Sequence, residues 1–328
     1  MDFMAILQGA FSSALGPDAI VYALAAIGLN VHFGYTGLLN FGQAGFMAVG
    51  AYGVAASVVT WGLPLWVGVI NGFLASIVLA IILGVPTLRL RADYLAIATI
   101  AAAEIIRRLF GSLTLSEWFG GSVGLNGYAG GFFDLNPFTG PVDFFVINLS
   151  ARDAWVTTVG WTLVAISLLI VWASMRSPWG RVLKSIREDE DAVRALGKNV
   201  YSYKMQSLIL GGLFGTLGGV VLALKQSVIP TDYTTAITFF AYTALLLGGA
   251  GRVFGPVIGS IIFWFLLTFL GGFFSQAAAT GLFPEWFMTE IQASVVRFVL
   301  VGLGLMLLMI FRPQGIFGDR REIAIDGR

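Results

Sequence analysis

Chemistry in this chain would have to begin from very few residues. There is one histidine, His32, two positions after Asn30, and no cysteine in 328 residues. Disulfides and thiolate metal or redox centres are therefore excluded. The sequence holds no His-Glu-x-x-His motif and no Ser/His/Asp set, and a lone His at a helix end is more often a hydrogen-bonding group than a proton relay. Glu104 sits inside the apolar run LAIATIAAAEIIRRLF, where an acidic side chain is a functional candidate by default. Arg107 and Arg108 follow it at i+3 and i+4, the spacing of an ion pair on one helix face, which favours a structural role. The only Gly-Lys pair, Gly197-Lys198, lacks the upstream glycine and the following hydroxyl of a phosphate loop. These residues lead us to expect no catalytic group, no metal set and no cofactor site in the chain itself.

The densest charge lies in residues 176–204. Arg176, Arg181, Lys184, Arg187, Arg194, Lys198 and Lys204 make seven of the 19 basic residues, beside the acidic run Glu188, Asp189, Glu190, Asp191. Such a stretch does not enter hydrocarbon, and a Lys/Arg-rich loop between apolar segments marks the cytoplasmic side. Its local pattern is helical. Ser177 can cap a helix opening at Pro178; Val182, Ile186, Val193 and Leu196 fall near one stripe; and Gly197 is a natural stop. Asp189 could equally start a second short helix after a bend. The charge pattern alone fits a solvated loop as well as a helix offered to a cytoplasmic protein.

The elements that must position these residues are apolar. With 57% hydrophobic residues, 11% charged and a mean hydropathy of +0.86, the chain reads as an all-α, polytopic membrane bundle in a single domain. Its length suits eight to ten spans of about 20 residues. Hydropathy places nine, at 17–31, 41–60, 63–86, 92–110, 154–174, 205–228, 234–249, 254–274 and 291–311. Putting 176–204 inside also puts Arg89, Arg91, Arg252 and the tail with Arg312, Arg320, Arg321 and Arg328 inside. The long loop 111–153, with Arg152 its one basic residue, falls outside. Nine spans leave the N-terminus outside; if 234–249 is re-entrant, the N-terminus moves inside or residues 1–15 become membrane-associated. Residues 1–18 lack the basic start of a cleavable signal, so the first apolar segment is expected to stay as an anchor. A net charge of +1 gives no argument for nucleic acid.

Glycine punctuates the spans, with 42 in the chain. Residues 34–50 and 248–259 both read as Gly-x-x-Gly, a short linker, then glycine entering an apolar run, with a one-residue shift between them. A repeat of this kind suggests two related halves with the substrate route between them. The candidates for lining a path or gate are therefore Gly34, Gly37, Asn40, Gly42 and Gln43 in the first stretch and Gly248, Gly249, Gly251 and Gly255 in the second. Asn71, Gln206, Lys225 and Gln226 are further polar groups in or at the ends of spans, and each needs a partner or water.

Five motifs occur in order: GLNVHFGYTGLLNFGQAGFMAVGAYG at 28–53, LRADYLAIATIAAAEIIR at 90–107, GGSVGLNG at 120–127, SPWGRVLKSIREDEDAVRALGKNVYSYK at 177–204 and LLLGGAGRVFGPVIGS at 245–260. Together they resemble the permease subunits of bacterial branched-chain amino acid ABC importers of the LivM type, over about residues 20–315. The resemblance implies a bacterial inner-membrane permease with a cytoplasmic C-terminus, moving branched-chain amino acids inward by ATP-driven alternating access. It also implies a degenerate Glu-Ala-Ala-x-x-x-Gly loop at Asp191-Ala192-Val193-Arg194-Ala195-Leu196-Gly197. The ATPase-coupling residues would then be Arg187, Glu188, Asp189, Glu190, Asp191, Ala192, Arg194 and Gly197. The implied partners are a second, LivH-type permease, two ATP-binding subunits that hold the ATP and magnesium, a periplasmic or lipid-anchored substrate-binding protein, and membrane lipid. A urea or short-chain amide permease, or a self-contained channel or secondary carrier, stands as the alternative.

Overall fold

Pro17 opens the helix that the others surround. The computed structural model describes residues 2–89, 92–144, 147–280, 289–312 and 314–318. Within them α1 (Phe3–Leu15) precedes α2 (Pro17–Leu29), and the break at Gly16 coincides with Pro17, which lacks an N–H. Ala19, Ala23, Ala25, Ala26 and Gly28 keep α2 slender, and it is buried on nearly every side. It continues into a π turn, Asn30–Tyr35. The first apolar element thus runs from Phe3 to Tyr35, 33 residues, so it starts well before the 17–31 read from hydropathy. Phe3 and Phe11 explain this, because they pack on Phe269 and Phe265 of the later helix Gly255–Ala279.

The remaining long helices are α3 (Gln43–Val59), α4 (Leu65–Thr87), α5 (Ala92–Phe110), α8 (Ala151–Arg176), α11 (Val200–Lys225), α12 (Thr235–Gly248), α13 (Gly255–Ala279) and α14 (Glu290–Phe311). The loop between α5 and α8 carries the short helices α6 (Ser116–Phe119) and α7 (Gly130–Phe133) and a hairpin of β1 (Val142–Phe144) and β2 (Ile147–Leu149). The chain is an all-α multi-pass membrane bundle. α4 and α14 turn large apolar side chains outward, among them Leu74, Ile82, Val299 and Leu303. Lipid is as apolar as these groups, so such surfaces need no protein cover.

Small residues set the closest crossings. At Gly28 of α2 a Cβ would overlap Gly211 O of α11, and at Gly211 it would overlap the His32 ring. Gly53 meets Gly72 between α3 and α4 in the same way. The 14-residue α12 would span only ~21 Å at 1.5 Å per residue. It nevertheless runs between the two ends of the bundle. Its preceding 3₁₀ turn, Pro230–Tyr233, packs Tyr233 near Tyr52, while Gly251 beyond its far end bonds Asn30.

At the end that carries the 111–150 loop, the Tyr128 hydroxyl lies 2.5 Å from Ala223 O and 2.6 Å from Gln226 O and shares its one proton between these carbonyls at the close of α11. Lys225 pairs with Asp18 at 2.5 Å, and Gln226 donates to Asp232 at 2.6 Å. Burial raises the Asp232 pKa above its ordinary 3.8, with the Gln226 bond and Lys225 opposing. A raised folded-state value means the protonated carboxyl stabilises the fold, and that contribution is lost as pH rises. Asp232→Asn is therefore expected to raise the unfolding temperature at pH 7 and to leave it unchanged well below pH 3.8. Thermal unfolding of both chains across that pH range checks it.

Candidate functional site: the glycine hairpins and the charged helix pair

Between Thr36 and Gly42 the backbone is not helical, at a depth where it lies buried in the protein. Irregular backbone there must find its partners within the chain. Leu38 N donates to His32 O at 2.8 Å, Phe41 N to Thr99 Oγ1 at 3.0 Å, Gly42 N to Asn40 Oδ1 at 2.8 Å, and Ala44 N to Thr238 Oγ1 at 2.9 Å. Tyr242 OH donates to Asn40 O at 3.0 Å. Thr99 comes from α5 and Thr238 and Tyr242 from α12, so the loop is gripped from two apolar helices at once.

The polar groups inside close on one another. His32 bonds Leu208 O through Nε2 at 3.1 Å, and since that partner is a carbonyl, Nε2 carries the proton and Nδ1 accepts from Asn40 Nδ2, also at 3.1 Å. Asn40 Nδ2 donates to Gln43 Oε1 at 3.3 Å, and Gln43 Nε2 to Gly211 O at 3.1 Å. His32, Asn40 and Gln43 are fully buried. Histidine here is a spacer with one donor and one acceptor, which fixes the hairpin against α11. Replacing it with Leu removes the acceptor of one Asn40 amide proton and the second bond to the Leu208 carbonyl, at a cost of about 1–3 kcal/mol. A His32→Leu chain is expected to show that loss in detergent unfolding, with His32→Gln recovering part of it.

The second glycine stretch joins α12 to α13, and it packs as tightly. A Cβ on Gly248 would overlap Gly255 O, Gly249 takes φ 112° and Gly251 φ 78°, both left-handed. Ile316 N and Phe317 N donate to Leu247 O at 3.0 Å and Gly248 O at 3.2 Å, so the segment after α14 satisfies the end of α12. The two stretches meet through Asn30. Its Oδ1 accepts from Gly251 N and its Nδ2 donates to Arg252 O, each at 2.8 Å. Of the predicted residues, Gly34 and Gly251 are brought together at this joint. Gly42 lies against Thr99 O, Gln43 against Gly211, and Gly37, with φ 74°, against Arg187.

At this same end of the bundle lie α9 (Pro178–Glu188) and α10 (Glu190–Ala195). The bend between them falls at Asp189, whose carboxylate caps α10 by accepting from Ala192 N at 2.9 Å. Ser177 stands at the N-cap of α9 as its sequence suggests, yet its hydroxyl donates back to Ser174 O and does not cap. Ile186, Val193 and Val200 form a buried cluster that seats the pair. Leu196 leaves the expected stripe and is 81% exposed, because the chain turns at Gly197 with φ 77°. Arg194 pairs with Glu190 at 2.9 Å and Asp191 at 2.6 Å, and Lys204 also reaches Glu190. Glu188, Asp191, Ala192 and Lys198 face solvent. Arg187 donates to Gly34 O, which ties α9 to the π turn. Glu104 pairs with Arg107 at 2.6 Å and Arg108 at 2.8 Å, in keeping with the structural reading of that triplet. Arg91 and Arg320, Arg321 and Arg328 lie outside the described residues.

The family model described as "Branched-chain amino acid transport system / permease component" matches residues 17–310. This chain belongs to that permease family. It is 30% identical over 309 residues to the high-affinity branched-chain amino acid transport system permease protein LivM of Salmonella typhimurium, covering 90% of this chain and 68% of that one. It is 25% identical over 342 residues to the probable LivM of Methanocaldococcus jannaschii, covering 92% and 91%. The LivH permease of Escherichia coli K12 is 27% identical over 329 residues, covering 96% of each chain. The LivM-type resemblance carried by the five motifs agrees with these relatives. Sequence reasoning missed Thr99, Thr238 and Tyr242, the hydroxyls that hold this permease's first hairpin, and Ser207, whose hydroxyl bonds Val31 O and Thr36 Oγ1 just before it. Isolated hydroxyls inside otherwise apolar spans were the available signal.

Proposed function

We propose that this permease is the membrane-spanning subunit of an ABC importer that moves branched-chain amino acids into the cytoplasm. In this reading one of two ATP-binding subunits docks on α9 and α10, which makes that end of the bundle cytoplasmic, along with Arg252 and the segment after α14. A second permease completes the translocation unit, and a substrate-binding protein delivers from the side of the 111–150 loop in a bacterial inner membrane. Glu188, Asp191, Ala192 and the projecting Leu196 offer the ATPase a mixed acidic and apolar surface. Closure of the ATPase dimer would displace α9, and the glycine hairpins, which have backbone close to backbone, would re-form the gate on the other side. Gly34, Gly37, Asn40, Gly42 and Gln43 facing Gly248, Gly249, Gly251 and Gly255 are the segments proposed to move. ATP and magnesium belong to the partner.

The observation that carries this reading is the charged helix pair seated on the first glycine hairpin, with Arg187 on Gly34 O, in a chain of the branched-chain permease family. Affinity purification from the native membrane in mild detergent, with mass spectrometry and an ATPase assay on the eluate, tests it. Recovery of an ATP-binding subunit and a second permease is the expected result. A stable preparation holding this chain alone, able to move substrate in proteoliposomes without ATP, would replace the importer with a carrier.

A further inference from the structure

α9 rests on the π turn through several contacts. Arg187 Nη1 donates to Gly34 O, Lys184 Nζ lies 5.7 Å from the Tyr35 ring centroid, and a Cβ on Gly37 would stand 3.5 Å from Arg187 Cα. The first residue of that same turn, Asn30, reaches the other way. It is 1% exposed, and both ends of its amide are committed to the backbone of Gly251 and Arg252. Gly34 lies between the two anchors: a Cβ there would fall on Asn30 Oδ1 and within 2.6 Å of Gly251 N. One glycine therefore carries the bond from the charged loop on its carbonyl and makes room for the bond to the second hairpin on its α-carbon.

The element that links them is the π turn Asn30–Tyr35. A π turn holds one residue more than an α turn, and its i→i+5 bonds can be exchanged for i→i+4 bonds by shifting that extra residue along the helix. Coupling between distant sites requires an element of this kind, with discrete states that both sites bias.

We propose that Asn30 is a positioning residue that passes displacement of α9 across the π turn to the loop at 249–255, so that the two glycine hairpins move as one unit. What pulls on α9 rests on the importer reading; the link itself does not. Arg187 is exposed, so Arg187→Ala tests the link without opening the core. Hydrogen exchange on the full chain in lipid nanodiscs is the measurement. Arg187→Ala is expected to raise amide exchange at 249–255 about tenfold, although its hydrogen bond is to Gly34. Asn30→Ala is expected to raise exchange there as well, and adding Arg187→Ala to it is expected to change nothing further. Exchange at 249–255 that stays at the wild-type rate in Arg187→Ala overturns the proposal, as does an Arg187→Ala effect that survives undiminished beside Asn30→Ala. In the purified transporter, Asn30→Ala is further expected to lower substrate moved per ATP about tenfold. Failure to recover any ATPase would sink the importer reading while leaving the exchange result to decide the link.

Discussion

Ile186→Asp is expected to lower uptake by at least about 100-fold while the transmembrane bundle stays folded. Ile186 is buried with Val193 and Val200 in a small cluster separate from the main core, and that cluster seats α9 and α10. A carboxylate placed there has no partner and costs several kcal/mol if it stays charged, which exceeds what a three-residue cluster supplies. α10 and the C-terminal end of α9 would lift off, taking Arg187 away from Gly34, while Leu183 keeps the start of α9 on the main core. The main core, built on α2, α3 and α11, contains none of these three residues. Two measurements check this: substrate uptake in cells, and thermal unfolding of the purified chain. Loss of uptake with an unfolding temperature within a few degrees of wild type is the expected pair of results. Normal uptake would mean that the seating of α9 and α10 is irrelevant to transport.

Gly211→Leu is expected to prevent the bundle from forming. A Cβ at this position already overlaps the His32 ring and Gly28 O, so the larger side chain would force α2 and α11 apart along the most buried crossing in the chain. Separation there also breaks the bonds from His32 to Leu208 O and from Gln43 to Gly211 O. The loss is roughly 3 kcal/mol or more, placing the variant among the severe packing defects. Gly302→Leu is the matched control, since nothing lies within 4 Å of a Cβ at that position on α14. Size-exclusion profiles in detergent should show an aggregated Gly211→Leu and a monodisperse Gly302→Leu. Equal behaviour of the two would mean that the glycines do not set the helix spacing.

Much of the architecture was legible because hydropathy is a one-dimensional property of the chain. The centres of α4, α5, α8, α11, α13 and α14 fall inside the segments read from it, and the bend at Asp189 and the stop at Gly197 followed from capping chemistry. The start of the first element was not legible, since α1 owes its place to rings on α13 that are more than 250 residues away. Nor was the fate of Leu196. On an ideal helix it would share the stripe of Ile186 and Val193, but α10 ends at Ala195 and the chain turns away at Gly197. The site shows the same division. Residue types and spacing picked out both glycine stretches and the charged loop, whereas Asn30 as the joint between them depends on a tertiary contact that no local pattern encodes.

The absence of native cysteine makes one measurement especially direct. A single Leu196→Cys, on a side chain 81% exposed at the outer edge of the charged helix pair, can be cross-linked in native membranes and the product identified by mass spectrometry. Val123→Cys, on the 111–150 loop with 75% exposure, serves as the opposite-end control. The predicted result is a cross-link from position 196 to an ATP-binding subunit, altered in yield by ATP, and none to that subunit from position 123. A cross-link to the ATPase from position 123 and none from position 196 would contradict the account.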